Sequence, residues 1–132
     1  MIKSLTSGIL ISAIAVSALA FMAGGATAAT VEPAKMADTS LGKAWVDSKG
    51  MTLYTFSKDE ISKSNCVDLC ATGWPPLSAR AGAEPIGEWT IFLRADGIKQ
   101  WAYDGKPLYT WVKDTKPGDV TGDGVNDFHI AQ

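Results

Sequence analysis

The chain has 132 residues, 46% hydrophobic and 20% charged, enough for one globular domain and too little for two. Twelve Lys+Arg against fourteen Asp+Glu leave a formal charge of −2 with no run of like charges, so the clustered basic footprint of a nucleic-acid binder is missing. One histidine and two cysteines do not complete a four-ligand zinc site, and no glycine-rich phosphate loop is present.

Residues 1–28 read as a signal peptide: Lys3, an uncharged run over 8–20, then small residues ending in Ala26-Thr27-Ala28. Cleavage is expected after Ala28, with Ala20 as a second candidate. An uncleaved anchor is the competing reading, but the stretch 9–22 is shorter than the ~20 apolar residues that span a bilayer. No cysteine follows to carry a lipid. The expected product is therefore periplasmic or extracellular, with no stable membrane anchor after cleavage. Residues 29–40 contain Pro33 and no periodic apolar pattern, which reads as a disordered leader. A single repeat domain is expected over 41–132.

Within it, the runs 44–47 and 51–57 are short and rich in aromatic and β-branched residues, and Ser48-Lys49-Gly50 between them predicts a hairpin. A helical turn or two is expected over 66–72, with Asn65 as N-cap and Gly73 just past the end. Trp74-Pro75-Pro76-Leu77 forces extended backbone, and 78–88 reads as an irregular connector. The runs 89–94, 98–103 and 107–112 then form a three-strand meander. Its Asp104-Gly105 link suits a two-residue turn in which both residues take positive φ. Residues 128–131 are a plausible last strand. The class is all-β: a small antiparallel sheet or barrel-like domain made from two hairpin-based repeats, with one short helical turn near the cysteines.

The repeat is explicit. Residues 50–59 align without a gap on 105–114, with identity at Gly50/Gly105, Leu53/Leu108, Tyr54/Tyr109, Thr55/Thr110, Lys58/Lys113 and Asp59/Asp114, and Phe56 opposite Trp111. Period-2 alternation puts Tyr and the following aromatic on one face and Leu and Thr on the other. These stretches, Tyr54-x-Phe56-x-x-Asp59 and Tyr109-x-Trp111-x-x-Asp114, resemble a family of small secreted bacterial repeat proteins, often lipoproteins, defined by Tyr-x-(Phe/Trp/Tyr)-x-x-Asp. The likeness extends to Ser64-Asn65-Cys66-x-x-x-Cys70, Trp74-Pro75-Pro76-Leu77, Arg94-x-Asp96-Gly97-x-x-Gln100-Trp101-x-Tyr103 and Pro117-Gly118-Asp119-x-x-Gly122-x-Gly124. The lipid-bearing cysteine is missing, and Phe128-His129 stands where the family favours Trp-His. The resemblance implies no activity, because the family is one of unknown function.

Four chemistries are weighed on the residues themselves. Cys66 and Cys70, exported to an oxidising compartment, are expected to pair. Because i and i+4 of a regular helix hold Cβ atoms ~5–6 Å apart and a bridge wants ~3.5–4.5 Å, the turn must be distorted there. A thiol–disulfide redox role for the same pair is the alternative function. Asp119, Asp123 and Asp127 form a weak calcium candidate, but Ile130 occupies the twelfth place where a bidentate carboxylate belongs. Asp59 and Asp114 could meet as a glycosidase pair, although an Asp after a strand ordinarily accepts backbone N–H bonds. His129 is expected to be packed or hydrogen-bonded. No cofactor is expected. The reading is a non-enzymatic binding or structural module of the cell envelope for an unknown envelope ligand or protein, with Trp74, Trp101 and Tyr103 as possible stacking surfaces.

Overall fold

A computed structural model describes residues 31–132. The expected signal peptide, residues 1–28, and residues 29–30 lie outside the described residues. Strand β1 (Lys35–Thr39) pairs with β2 (Gly42–Val46), and β4 (Trp89–Leu93) with β5 (Lys99–Tyr103), which continues to β6 (Lys106–Pro107). β3 (Tyr54–Phe56) pairs with β7 (Phe128–Ile130), and α1 spans Leu69–Gly73. The result is three small antiparallel sheets with one short helix and no closed barrel among the described residues. None of the described helices is long and apolar enough to cross a membrane.

Local sequence accounts for most of these elements. Asp47 folds the first turn by accepting N–H bonds from Lys49 and Met51, both at 2.9 Å, and Gly50 follows at φ 83°. Asp104 and Gly105 both sit at positive φ, 50° and 80°, as the two-residue link requires. Two expectations need correction. Lys35–Thr39 is an ordered strand rather than part of a disordered leader, because its backbone pairs along the whole length of β2. The helix begins at Leu69 after Asp68 at φ 55°. Asn65 does not cap it: its amide donates to the Lys58 carbonyl, and Gly73 is the last helical residue rather than the one after it.

The tertiary plan is an exchange of strands between the halves. Ala131 sits between Trp45 and Leu53, with Trp45 N–H donating to Ala131 O at 2.9 Å and Ala131 N–H to Leu53 O at 2.8 Å. Leu77 sits in the same way between Trp101 and Leu108, with Trp101 N–H donating to Leu77 O at 2.8 Å and Leu77 N–H to Leu108 O at 2.9 Å. Each half thus inserts its last strand into the other. Their shared axis passes through the isolated bridge Tyr54↔Tyr109, where each residue donates its N–H to the other's carbonyl. Two positions further along that register stands Pro107, which has no N–H to continue the ladder.

The repeat strands separate two cores. Tyr54 and Tyr109 enter a cluster with Ala44, Cys66, Trp74, Phe128 and Ile130, whereas Leu53 and Leu108 enter another with Ala34, Trp89, Trp101 and Ala131. Alternation assigns the faces correctly, and both faces are buried.

Candidate functional site

The repeat residues meet across the axis. Tyr54 Oη donates to Asp114 Oδ2 at 2.6 Å, and Tyr109 Oη donates to Asp59 Oδ2 at 2.6 Å, over chain separations of 60 and 50 residues. Each tyrosine is locked to the other half's aspartate. Asp114 Oδ1 also accepts Thr121 N–H at 3.0 Å and Thr121 Oγ1 at 2.6 Å, and Asp59 Oδ1 accepts Asn65 N–H at 2.6 Å. Both oxygens of both carboxylates are therefore engaged. Burial, then the hydrogen bond to the aspartate, raises both tyrosine pKa values. Burial raises that of Asp59 as well, against the lowering pull of Asn65 N–H, Tyr109 and Arg94.

The loop after each aspartate leans on the other half's repeat glycine. A Cβ on Gly50 would lie 3.1 Å from Pro117 Cβ, and one on Gly105 would lie 3.0 Å from Ile61 Cγ2. Gly50 and Gly105 thus answer two demands, positive φ and close approach.

Four aromatic rings stack along the same axis. Phe56 lies on Phe128 with centroids 4.3 Å apart, Phe128 on Trp74 at 3.8 Å, and Trp74 on Trp111 at 4.1 Å. Tyr54 meets Trp74 edge-on at 5.2 Å, and Tyr109 meets Phe128 edge-on at the same distance. The ends of the column, Phe56 and Trp111, are the equivalent positions of the repeat and are half-buried. Lys113 Nζ lies 5.9 Å from the Trp111 ring, within cation–π range.

Arg94 has a fully buried side chain and organises the Tyr109 side. It binds both Asp96 carboxylate oxygens through Nε and Nη2, donates through Nη1 to Ser64 Oγ and Gln100 Oε1, and through Nη2 to the Cys66 carbonyl. Ser64 Oγ in turn lies 2.6 Å from Tyr109 Oη, and Gln100 donates to the Leu108 carbonyl. Arg94, Gln100 and Ser64 belong to the motifs that carry the family resemblance, and their role emerges only from this geometry. The available signal was an arginine and a glutamine at inward positions of a strand pair.

Cys66 and Cys70 form a disulfide, with Cα atoms 5.1 Å apart. The expected distortion is the irregular turn through Asp68 that precedes the helix. Cys66 is fully buried and Cys70 only partly, against the Tyr54/Tyr109 core.

Other expected sites disperse. Trp74 and Trp101 are 2% and 5% exposed, so they are core residues, one in each cluster, and not stacking surfaces. Tyr103 stays half-buried, in contact with Trp45 and Trp89. Asp119, Asp123 and Asp127 do not converge, because each serves a different partner. Asp119 binds Thr115 and Lys116, Asp123 accepts Ile130 N–H, and Asp127 pairs with Lys58 at 3.5 Å. No three metal-ligating side chains gather among the described residues. His129 is exposed beside Asp123 at 3.7 Å instead of packed.

Two neighbouring concavities open where the Tyr54↔Tyr109 ladder parts. One of about 350 Å³ is lined by Phe56, Ser57, Asp59, Glu60, Ile61 and Pro107. The other, about 200 Å³, is lined by Trp45, Tyr103, Asp104, Ile130 and Gln132. Thr55 and Lys106 form the wall they share.

No curated protein and no solved structure matches the chain. The profile of one family, described as a secreted repeat of unknown function, matches it twice, over residues 35–78 and 90–130. Those two stretches are the halves that exchange their last strands. The chain belongs to this family of secreted repeats of unknown function.

Proposed function

We propose that the protein is exported through its N-terminal apolar segment and works in the cell envelope as a non-enzymatic binding or structural module. The observation that carries this reading is that the acid–phenol pairs are spent on folding. Tyr54, Tyr109, Asp59 and Asp114 hold one another across the two halves, with each carboxylate oxygen already accepting a bond. Each carboxylate is thereby held as the acceptor for a phenol and a backbone N–H of the fold, the ordinary role of a satisfied buried polar group. Binding belongs to the paired concavities, where the half-buried Phe56, Trp45 and Tyr103 offer ring faces beside Thr55, Lys106 and Gln132.

Titrating the exported form with envelope glycans, short peptides, haem and metal salts, and following Trp fluorescence, tests this reading. A saturable change with one class, weakened by Tyr103→Ala and by Lys106→Ala, is the expected result. A flat response to every class removes the binding half of the reading and leaves a structural module. The alternative, a thiol–disulfide protein, is separated by the reduction potential of Cys66–Cys70. A value below about −300 mV marks a structural bridge, and a much higher one a labile redox pair. Burial of Cys66 favours the former, since an attacking thiolate has access only to the Cys70 side.

A further inference from the structure

The two ends of the aromatic column are alike in geometry and unlike in chemistry. On one side Trp111, half-buried, stacks on buried Trp74 at 4.1 Å, and Trp74 meets fully buried Tyr54 at 5.2 Å. Tyr54 Oη then donates to Asp114 Oδ2 at 2.6 Å. On the other side the equivalent rings are Phe56 and Phe128, leading to Tyr109 and Asp59. Indole and phenol give up one electron to strong oxidants, whereas the benzene ring of Phe is far harder to oxidise. We propose that Trp111, Trp74 and Tyr54 form a path that carries oxidising equivalents from the surface to Tyr54, and that the Phe56–Phe128 side does not conduct.

The step balances as follows. An outer-sphere one-electron oxidant takes an electron from Trp111. An electron moves from Trp74 to Trp111, then one from Tyr54 to Trp74, while the Tyr54 phenolic proton crosses to Asp114. The products are the reduced oxidant, a neutral Tyr54 oxygen radical and a protonated Asp114. A one-electron reductant of the thiol or ascorbate class returns the electron, and the proton goes back to Tyr54.

Three features favour inward movement. Lys113 Nζ, 5.9 Å from the Trp111 ring, disfavours a radical cation there. Trp74 Nε1 is buried with no hydrogen-bond acceptor among the described residues, so an oxidised Trp74 keeps its proton and remains a strong oxidant. Tyr54 alone on the path has a carboxylate in place to take a proton. Gly122 holds the three rings together: a Cβ there would stand 2.7 Å from Trp74 Cη2 and 2.9 Å from Trp111 Cγ, and its N–H donates to Tyr54 Oη at 3.2 Å.

The test is flash oxidation of the exported protein with photogenerated tris-bipyridyl ruthenium(III), followed by electron paramagnetic resonance. A Tyr103→Phe background removes the half-buried third tyrosine. The expected result is a tyrosyl signal that is kept on adding Tyr109→Phe and lost on adding Tyr54→Phe. Adding Trp111→Phe, which copies the Phe56 end, should also abolish it. Adding Asp114→Asn should leave a tryptophan radical instead, and this variant keeps the test open if Tyr54→Phe fails to fold. A tyrosyl signal that follows Tyr109, or one indifferent to Trp111→Phe in a protein of unchanged circular dichroism, overturns the proposal.

Discussion

Compare the loop that follows Asp59 with the loop that follows Asp114. Both present a residue to the other half's glycine and a carboxylate to the other half's tyrosine. The first is braced by the Cys66–Cys70 bridge and by Arg94, which reaches Ser64 and the Cys66 carbonyl. The second has no cross-link and closes on its own backbone, through Thr121 on Asp114 and Asp119 on Thr115 and Lys116. One geometry is thus reached by two routes, a covalent and cationic one in the first half and a hydrogen-bonded, glycine-rich one in the second. What the halves share is the requirement that neither tyrosine is satisfied without the other half.

The harshest way to break the comparison is to cut it. Fragments 31–82 and 83–132, expressed separately, should each lack a cooperative thermal transition by circular dichroism and regain it when mixed. Independent folding of either would deny that the exchanged strands are essential.

Next in size is the pair of carboxylates. Asp114→Ala leaves Tyr54 and Thr121 without their acceptor inside the core and should cost about 3 kcal/mol in urea unfolding. Asp59→Ala should cost less, about 2 kcal/mol, because Asp59 is only half-buried and already destabilised by desolvation. For the same reason Asp59→Asn should be milder than Asp59→Ala. Equal losses at the two sites would erase the distinction between the loops.

Gly122→Ala sharpens the contrast within one column. Its Cβ would enter the Trp74–Trp111 stack, and overpacking there should cost about 1–3 kcal/mol. Gly73→Ala, whose Cβ would lie at an ordinary 3.5 Å from Trp111, should leave the melting temperature nearly unchanged.

The pH dependence separates the tyrosines from Asp119. Both phenols have folded pKa values raised above the ordinary ~10, so their stabilisation is whole below that pH and is lost as the pH climbs through the folded values. The melting temperature should fall above about pH 10, and Tyr54→Phe or Tyr109→Phe should flatten that fall. Asp119 has the opposite sign. The Lys116 ammonium, and then Thr115 N–H, hold it down to about 2, so its smaller contribution is present above about pH 4 and fades as the pH drops towards 2. Asp119→Asn should remove only that acid-side slope.

Several features were legible in the sequence because they are written within a few residues. Asp104-Gly105 demands a tight turn, alternation sorts Tyr54 from Leu53, and an exported Cys66/Cys70 pair closes its own small loop. Lys35–Thr39 escaped because a short polar strand carries little periodicity and gains its order from β2. Trp74 and Trp101 were misplaced because a tryptophan's sequence neighbours do not say whether a second ring will cover it. Asp59 and Asp114 were rightly read as bond acceptors after a strand, but their main donors were missed.

By itself, then, the order of residues determined the duplication, the strand-rich class, the turns, the disulfide and the two faces of each repeat strand. Those depend on backbone conformations and alternation that act over a handful of positions. Only the tertiary structure decided that Tyr54 answers to Asp114 and Tyr109 to Asp59, that each half lends its last strand to the other, and which rings stack into one column. Residues 50 and 60 positions apart find each other through strand pairing and shared burial, which no local pattern specifies.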